Sequence, residues 1–183
     1  ISPGGLYTLS YQQPWVADPS FAKDGELRLE CEDTCGEHGA RLSFAEGPYT
    51  SSQGAPGVEL ASLAARHWRD AERVQFATRP FKVLRQGFTR LDGVPVYESQ
   101  AEHDLGRGRK VWRLVRLTLR DGKLVTVELQ AAIEVWRKAR PAAMAVLATL
   151  RWVSDRQPLL LKAHALREAG RLEDAFALYD RPE

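Results

Sequence analysis

The sequence predicts an α+β domain built around an antiparallel sheet. Residues 82–129 contain four strand-like runs, and Asp-Gly stands at two of the turns between them, which is a hairpin signal. Residues 58–73 place apolar side chains at helical spacing. This pattern predicts an amphipathic helix that covers at least one face of the sheet.

Size and composition set the broad class of protein. The chain has 183 residues, which fits one domain or one domain with a short appendage. A hydrophobic content of 44% allows a sizeable core, and a net charge of +2 argues against a nucleic-acid tail. No apolar run reaches the ~20 residues that span a bilayer. The start lacks signal-peptide features, although a mature exported chain would look the same. Many Arg and Ala residues indicate a bacterial source.

The first part of the chain predicts a strand, a loop and a hairpin. Residues 6–11 alternate like a strand, and the proline-containing stretch 12–24 is predicted as a loop. Residues 26–31 and 40–45 alternate polar and apolar side chains around a polar, glycine-containing turn, which predicts a β-hairpin. Residues 46–57 are rich in Gly, Ser and Pro and are predicted as a second loop.

Alternation predicts a register for the last hairpin of the central stretch. Residues 115, 117 and 119 are apolar on one strand, and residues 125, 127 and 129 are apolar on the next. A two-residue Asp-Gly loop would place these two sets on opposite faces, so we predict a three-residue loop or a bulge. The predicted pairs are then Leu119 beside Val125 and Leu117 beside Val127.

The chain after the central stretch predicts a helix and a short last strand. Residues 133–140 leave the sheet, and Pro141 fits the first position of a short buried helix. Residues 150–153 are predicted as the last strand. We place the α+β domain at residues 1–153 and a helical hairpin at residues 154–183, packed on the domain.

Three segments carry a family resemblance. GLYTLSYQQPW (residues 5–15) resembles the opening strand and Pro-Trp loop of PsbP-like proteins. GVPVYES (93–99) and VWRLVRLTLRDGKLVTVEL (111–129) are similar to their strand and Asp-Gly-Lys hairpin, and MAVLATLRWV (144–153) resembles their closing helix and strand. Over residues 5–153 the resemblance implies the fold shared by PsbP, Ran-binding Mog proteins and DcrB-like bacterial proteins. That fold is an antiparallel sheet with helices on both faces, and its members serve mainly as accessory or partner-binding proteins without catalysis.

The C-terminal segment resembles a tetratricopeptide repeat. Only one repeat is visible, whereas ~3 are needed to bury a continuous core. We therefore predict a helical hairpin packed on its own domain, with a module of a longer repeat array as the alternative. The matching small and large residues are Leu159, Ala163, Leu166, Gly170, Ala175 and Tyr179.

Cys31, Cys35 and His38 stand together in the turn of the first hairpin. Thiolate and imidazole ligands suit zinc, but the spacing is not a standard zinc motif and a fourth ligand is needed. A Cys31–Cys35 disulfide and free thiols are the other two interpretations. A disulfide indicates an oxidising compartment, so an extracytoplasmic location is favoured over a cytoplasmic one.

Basic residues follow one strand of the central stretch. Arg116 and Arg120 share a strand face beside Trp112, and Arg107 and Arg109 precede them. Such a face over residues 107–123 can bind nucleic acid through phosphate contacts and stacking. A solvated outer face is the favoured interpretation because the net charge is close to neutral.

Partner-binding candidates lie at the sheet rim and in the last segment. Trp136 is flanked by Arg137 and Arg140 in a predicted loop, and an exposed Trp beside Arg can anchor a protein partner. The equal alternative is that Trp136 caps the sheet. Leu159 and Tyr179 are the candidates in the C-terminal hairpin.

These observations favour a non-catalytic accessory or protein-binding domain without a cofactor. His103 and Asp104 are adjacent in a predicted glycine-rich loop, but no nucleophile motif accompanies them, and no phosphate-binding loop is present. The first alternative is a binder of a small apolar or lipid-like ligand between sheet and helix. The second alternative is nucleic-acid binding.

Overall fold

A computed structural model describes residues 2, 5–20, 26–31, 39–49, 56–74, 81–104 and 108–153. These residues form nine strands and two α-helices. In chain order they are β1 (Tyr7–Thr8), β2 (Val16–Asp18), β3 (Glu26–Cys31), β4 (Ala40–Pro48), α1 (Pro56–Val74), β5 (Lys82–Leu91), β6 (Val94–Asp104), β7 (Lys110–Arg120), β8 (Lys123–Ala132), α2 (Ile133–Ala148) and β9 (Arg151–Trp152).

Seven of these strands form one antiparallel sheet. Their order across the sheet is β2-β3-β4-β8-β7-β6-β5, and β1 pairs with β9 in a separate two-stranded sheet. The predicted antiparallel core and the α+β class are confirmed. Strand β2 lies within the stretch predicted as a loop, and three residues are too few to show an alternating pattern.

The sheet buries both of its faces. The side chains of Val115 and Leu117 on β7 pack in the cluster beneath α1. The side chain of Leu114, on the opposite face of the same strand, packs in the cluster beneath α2. Because successive residues of a strand point to opposite faces, the two helices lie on opposite sides of the sheet.

The predicted register of the last hairpin is wrong. Leu119 pairs with Leu124, and Leu117 pairs with Thr126. The loop is the two-residue turn of Asp121 (φ 49°) and Gly122 (φ 69°), whose positive φ angles are typical of a type I′ hairpin. Our prediction assumed that only one face of the sheet is buried. The apolar residues of β7 face α1 and those of β8 face α2, so both sets are buried although they lie on opposite faces of the sheet.

Helix α1 packs on β6 and β7 through one apolar face. Leu60, Ala64 and Trp68 recur at four-residue spacing and are buried. The indole Nε1 of Trp68 donates a hydrogen bond of 3.0 Å to Ser99 Oγ, so this polar pair is satisfied inside the core. The helix predicted at residues 58–73 is confirmed.

Helix α2 begins earlier than predicted. It starts at Ile133 and continues through Pro141, which therefore stands inside the helix. Proline lacks the N–H that would bond the carbonyl of residue 137. Arg137 and Pro141 are both exposed, so that carbonyl is on the solvent side of the helix, where the missing bond costs least. Ala139 and Ala143 form the buried side.

The short sheet of β1 and β9 closes the core beneath α2. Tyr7 pairs with Trp152, and the Tyr7 ring lies 5.7 Å from the Phe44 ring. Trp152 donates from its backbone N–H to Asp92 Oδ2 at 2.9 Å and from its indole Nε1 to the Leu91 carbonyl at 2.7 Å. These bonds join the two ends of the domain to the turn between β5 and β6.

The predicted hairpin 154–183 lies outside the described residues. The domain boundary at residue 153 therefore stays a prediction. Within the described part of the chain, neither helix has the length and apolar content required to cross a membrane.

The β7–β8 turn gives the first prediction. We expect Gly122→Ala to lower the free energy of unfolding by about 1–2 kcal/mol, because a side chain disfavours positive φ. Gly87→Ala is the matched control, since Gly87 has no positive φ and a Cβ there meets no atom within 4 Å. Urea denaturation of both variants measures the difference, and equal effects would contradict the assigned turn.

Candidate protein-binding surface

Strand β5 ends the sheet. It pairs with β6 on one side, and none of the described strands pairs with its other side. An edge strand presents N–H and C=O groups that can pair with another chain. Strand β5 is ten residues long, whereas the opposite edge strand, β2, has three. The described sheet therefore has one long edge and one short edge.

Large apolar side chains are exposed along this long edge. They are Val83 (46% exposed), Leu84 (39%) and Phe88 (57%). We call these three residues and the strand that carries them the β5 edge surface. Single exposed apolar residues are common on proteins, but three on one edge strand mark an interaction site or an aggregation liability.

Phe88 is held in place by a neighbouring aromatic residue. It lies opposite Tyr97 on β6, and the two rings meet edge to face with centroids 5.2 Å apart and an interplanar angle of 77°. Tyr97 is itself buried beneath α1. The Phe88 ring is therefore oriented by the core while most of its surface remains open to a partner.

A bulge shapes the start of the same strand. Val83 pairs with Ala101 and Arg85 pairs with Gln100, so Leu84 has no residue opposite it. Two successive apolar residues, Val83 and Leu84, are thus exposed beside the irregularity. Bulges at sheet edges bend the strand and re-aim its side chains.

The charge of β5 is positive. The strand contains Lys82, Arg85 and Arg90 and has no acidic residue. The Glu98 carboxylate on β6 receives Arg85 Nη2 at 2.6 Å and Arg116 Nε at 2.8 Å. Glu102 on β6 lies opposite Lys82 and also accepts a hydrogen bond from Lys110 at 2.9 Å. Two carboxylates thus face four cationic groups, and positive charge remains in excess at the edge of the sheet.

The buried charges under α1 form a separate network. Glu128 Oε1 lies 3.0 Å from Arg113 Nε, and Glu128 Oε2 lies 3.1 Å from His67 Nε2 on α1. The Arg113 guanidinium also donates to Gln130 Oε1 at 2.9 and 2.7 Å and lies over the Phe81 ring. These contacts tie α1 to β8, so we assign the network to the attachment of the helix.

The pKa of Glu128 reflects competing effects. Burial raises the pKa of this carboxyl, whereas the contact with His67 and the positive charge of Arg113 lower it. The net result is a pKa below the usual value, so Glu128 stays ionised at neutral pH and keeps its contacts with Arg113 and His67.

The structure buries Trp136, which excludes an exposed anchor and agrees with the alternative that this residue caps the sheet. This residue lies in α2, is 4% exposed, and packs edge to face on Trp112 at 5.6 Å. The predicted loop is a helix, and residue 136 faces the sheet. Arg137 is exposed and Arg140 is half-buried. Leu159 and Tyr179 lie outside the described residues.

The predicted basic face is largely engaged in internal contacts. Arg116 bonds Glu98, and Arg120 donates to the Val153 carbonyl at 3.0 Å and lies over the Trp152 ring. Arg109 is exposed just before β7, and Arg107 lies outside the described residues. The described arginines therefore do not form a continuous basic strip.

The first hairpin and His103 give two further outcomes. Cys31 is buried at the end of β3 and is disulfide-bonded. Cys35 and His38 lie outside the described residues, so the Cys31–Cys35 pairing stays a prediction.

His103 belongs to β6 and not to a loop, and its ring is fully buried 4.2 Å from the Phe81 ring. The described residues contain no cluster of three or more metal-ligating side chains.

A shallow cleft of about 230 Å³ lies at the turn between β7 and β8. Leu119 and Tyr49 form its apolar part, and the turn from Arg120 to Lys123 forms the rest. A cleft of this size at a turn is smaller than the ~300 Å³ typical of ligand pockets, so it gives little support to the small-ligand alternative.

Comparison with solved structures identifies the fold. No model of a protein family matches the sequence, and no curated protein matches it. The structure is similar to the solution structure of cyanobacterial PsbP from Synechocystis sp. PCC 6803, with a TM-score of 0.60 and 18% identity over 81% of this chain and 88% of that chain.

Two crystal structures are similar as well. A protein from Bacteroides thetaiotaomicron matches with a TM-score of 0.53 and 13% identity over 85% of this chain and 48% of that chain. A protein of unknown function from Pseudomonas aeruginosa matches with a TM-score of 0.50 and 15% identity over 79% of this chain and 95% of that chain. The predicted PsbP-like fold is thereby confirmed.

The residues of the β5 edge surface were not predicted as a site. Residues 82–90 were predicted as a strand, but the order of strands across a sheet is not a local property of sequence. Two signals were present: three basic residues on one strand, which are common at sheet edges, and a glycine in the strand interior.

The network under α1 gives the second prediction. We expect Glu128→Gln to lower the free energy of unfolding by about 1–3 kcal/mol at pH 7, because Arg113 loses its ionised partner. Since the pKa of Glu128 is lowered by folding, its contribution is full above its unfolded pKa of about 4.3 and falls as the pH drops through the lower folded value. The difference in the free energy of unfolding between wild type and Glu128→Gln should therefore become smaller at acidic pH.

Urea denaturation from pH 7 to pH 3 measures this gap. The exposed Glu134→Gln is the control and should change stability by less than about 1 kcal/mol. A Glu128→Gln variant that is as stable as the wild type at pH 7 would exclude the assigned role of the network.

Proposed function

We propose that this chain is a non-catalytic accessory domain that binds a protein partner through the β5 edge surface. The observation that carries the proposal is the exposure of Val83, Leu84 and Phe88 along a ten-residue edge strand. Natural sheets protect their edges with short strands, charge or covering elements. Strand β5 has basic residues and a bulge as protection, yet Val83, Leu84 and Phe88 remain exposed along it, and a partner explains this exposure better than protection does.

The oriented ring of Phe88 supports this proposal. Aromatic anchors that are held rigid before binding lose little conformational freedom in the complex. Tyr97 supplies that rigidity from the buried side. Aromatic residues are also enriched among the residues that contribute most to protein–protein affinity.

The fold is compatible with an accessory role. The resemblance to PsbP-like proteins implies such a role, and the solved structure of cyanobacterial PsbP shares this fold. The assignment as non-catalytic is part of the proposal.

The C-terminal segment is a second proposed contact. Leu159 and Tyr179 keep their predicted roles there, and exposed Arg137 on α2 stays a candidate at the sheet rim. We propose an extracytoplasmic location because Cys31 is disulfide-bonded, and disulfides are typical of oxidising compartments.

Phe88→Glu gives the third prediction. Val16→Glu on β2 is a closely matched control, because both side chains are 57% exposed on edge strands at opposite ends of the sheet. Phe88→Glu should weaken partner binding by at least about tenfold, since a charge replaces an aromatic anchor. Val16→Glu should leave binding unchanged.

Quantitative affinity capture from the source organism measures both variants in the full chain. Proteins that wild type and Val16→Glu retain, and that Phe88→Glu loses, define the partner. Leu159→Glu and Tyr179→Ala in the full chain test the second contact. Equal retention by Phe88→Glu and Val16→Glu would exclude the β5 edge surface as the binding site.

A further inference from the structure

We propose that the partner supplies an extended segment, carrying apolar and acidic side chains, that pairs with β5 as an additional strand of the sheet. This inference rests on the proposed function and specifies how the partner binds. In strand addition, main-chain hydrogen bonds supply much of the affinity, and alternate side chains supply the specificity.

Gly87 is the first observation that favours strand addition. It lies in the interior of β5, where the register with β6 is regular from Arg85 to Leu91. Its φ is not positive, and a Cβ built on it meets no atom within 4 Å. No turn, bulge or internal contact of the described structure therefore requires glycine here.

Glycine at such a position has an energetic cost. In a strand interior it destabilises a protein by about 0.5–1 kcal/mol relative to alanine. Glycine in strands often marks a place where another backbone or a ligand approaches closely. The close approach of a partner's backbone would explain why residue 87 is glycine, whereas no contact within the described domain explains it.

The spacing of the apolar residues fits an extended segment. Because of the bulge at Leu84, Val83 and Phe88 lie opposite Ala101 and Tyr97, which are four residues apart, or about 13 Å along a strand. An extended segment of five or six residues spans this distance. It can contact both side chains while its backbone passes Gly87.

The charges of the strand indicate an acidic segment. Lys82, Arg85 and Arg90 carry positive charge along β5, and Glu98 is shared between two arginines. Carboxylates on the added segment compensate this excess. A second copy of the chain would increase the excess of positive charge, because antiparallel pairing of two β5 strands brings like charges together, which is destabilising.

A defined peptide tests the inference on the full chain. The probe is a blocked hexapeptide of alternating valine and glutamate, and its twin has lysine in place of glutamate. A second twin carries N-methyl groups on alternate residues, which remove N–H donors without changing side-chain charge. We expect the glutamate peptide to bind at least about tenfold more tightly than either twin, by calorimetry at low salt.

Gly87→Val is the matching change in the protein, and Gly47→Val is its control. Gly47 is also a strand glycine without positive φ, and a Cβ there also meets no atom within 4 Å. Gly87→Val should weaken peptide binding by at least about fivefold, since its branched side chain occupies the sheet face beside the added strand and crowds the partner side chain opposite residue 87. Gly47→Val should not change binding. Denaturation should show both variants folded.

Each other outcome overturns the inference. Equal binding of the three peptides, or equal effects of the two glycine variants, excludes strand addition by an acidic segment. Reversible dimerisation that Gly87→Val abolishes identifies a second copy as the occupant instead. If Phe88→Glu abolishes binding of the native partner, while the three peptides bind equally and Gly87→Val does not weaken binding, the β5 edge surface is the binding site but strand addition is excluded. If Phe88→Glu keeps the partner, both proposals fail.

Discussion

The structure depends on a sheet that buries both of its faces. Strand β7 alternates between two cores, with Leu117 beneath α1 and Leu114 beneath α2. The two-residue turn at Asp121 and Gly122 sets the register that keeps the apolar side chains of β8 under α2. Because one residue of slip exchanges the faces of a strand, this turn determines which side chains each helix can cover.

A sheet covered on both faces by helices can contact partners readily only at its edges or through its helices. The short sheet of β1 and β9 closes one core, and the contact between Glu128 and His67 joins α1 to the other face. Strand β2 presents only three residues at one edge, whereas β5 presents ten at the other. The β5 edge surface follows from this architecture, and its exposed aromatic residue, basic residues and unexplained glycine distinguish it from β2.

Much of the fold was predictable from local patterns in the sequence, while the candidate site was not. Alternation predicted β3, β4, β7 and β8, and helical spacing predicted α1. Alternation separates the two faces of a strand but does not reveal how many faces are buried, so the register at Leu119 was wrong. Pro141 was taken as a helix start, which placed Trp136 in a loop, whereas an exposed proline inside a helix is tolerated. Phe88 was missed because strand order depends on long-range pairing.

If the outer edge of β5 receives an extended segment, the amide hydrogen exchange of this strand should change when the segment binds. The rates are measured across the full chain with and without the valine–glutamate peptide. We expect slower exchange at alternate amides of β5 on binding and unchanged exchange in β2, since added main-chain bonds protect the N–H groups that point outward. Protection that appears elsewhere while β5 amides keep their exchange rates would contradict it.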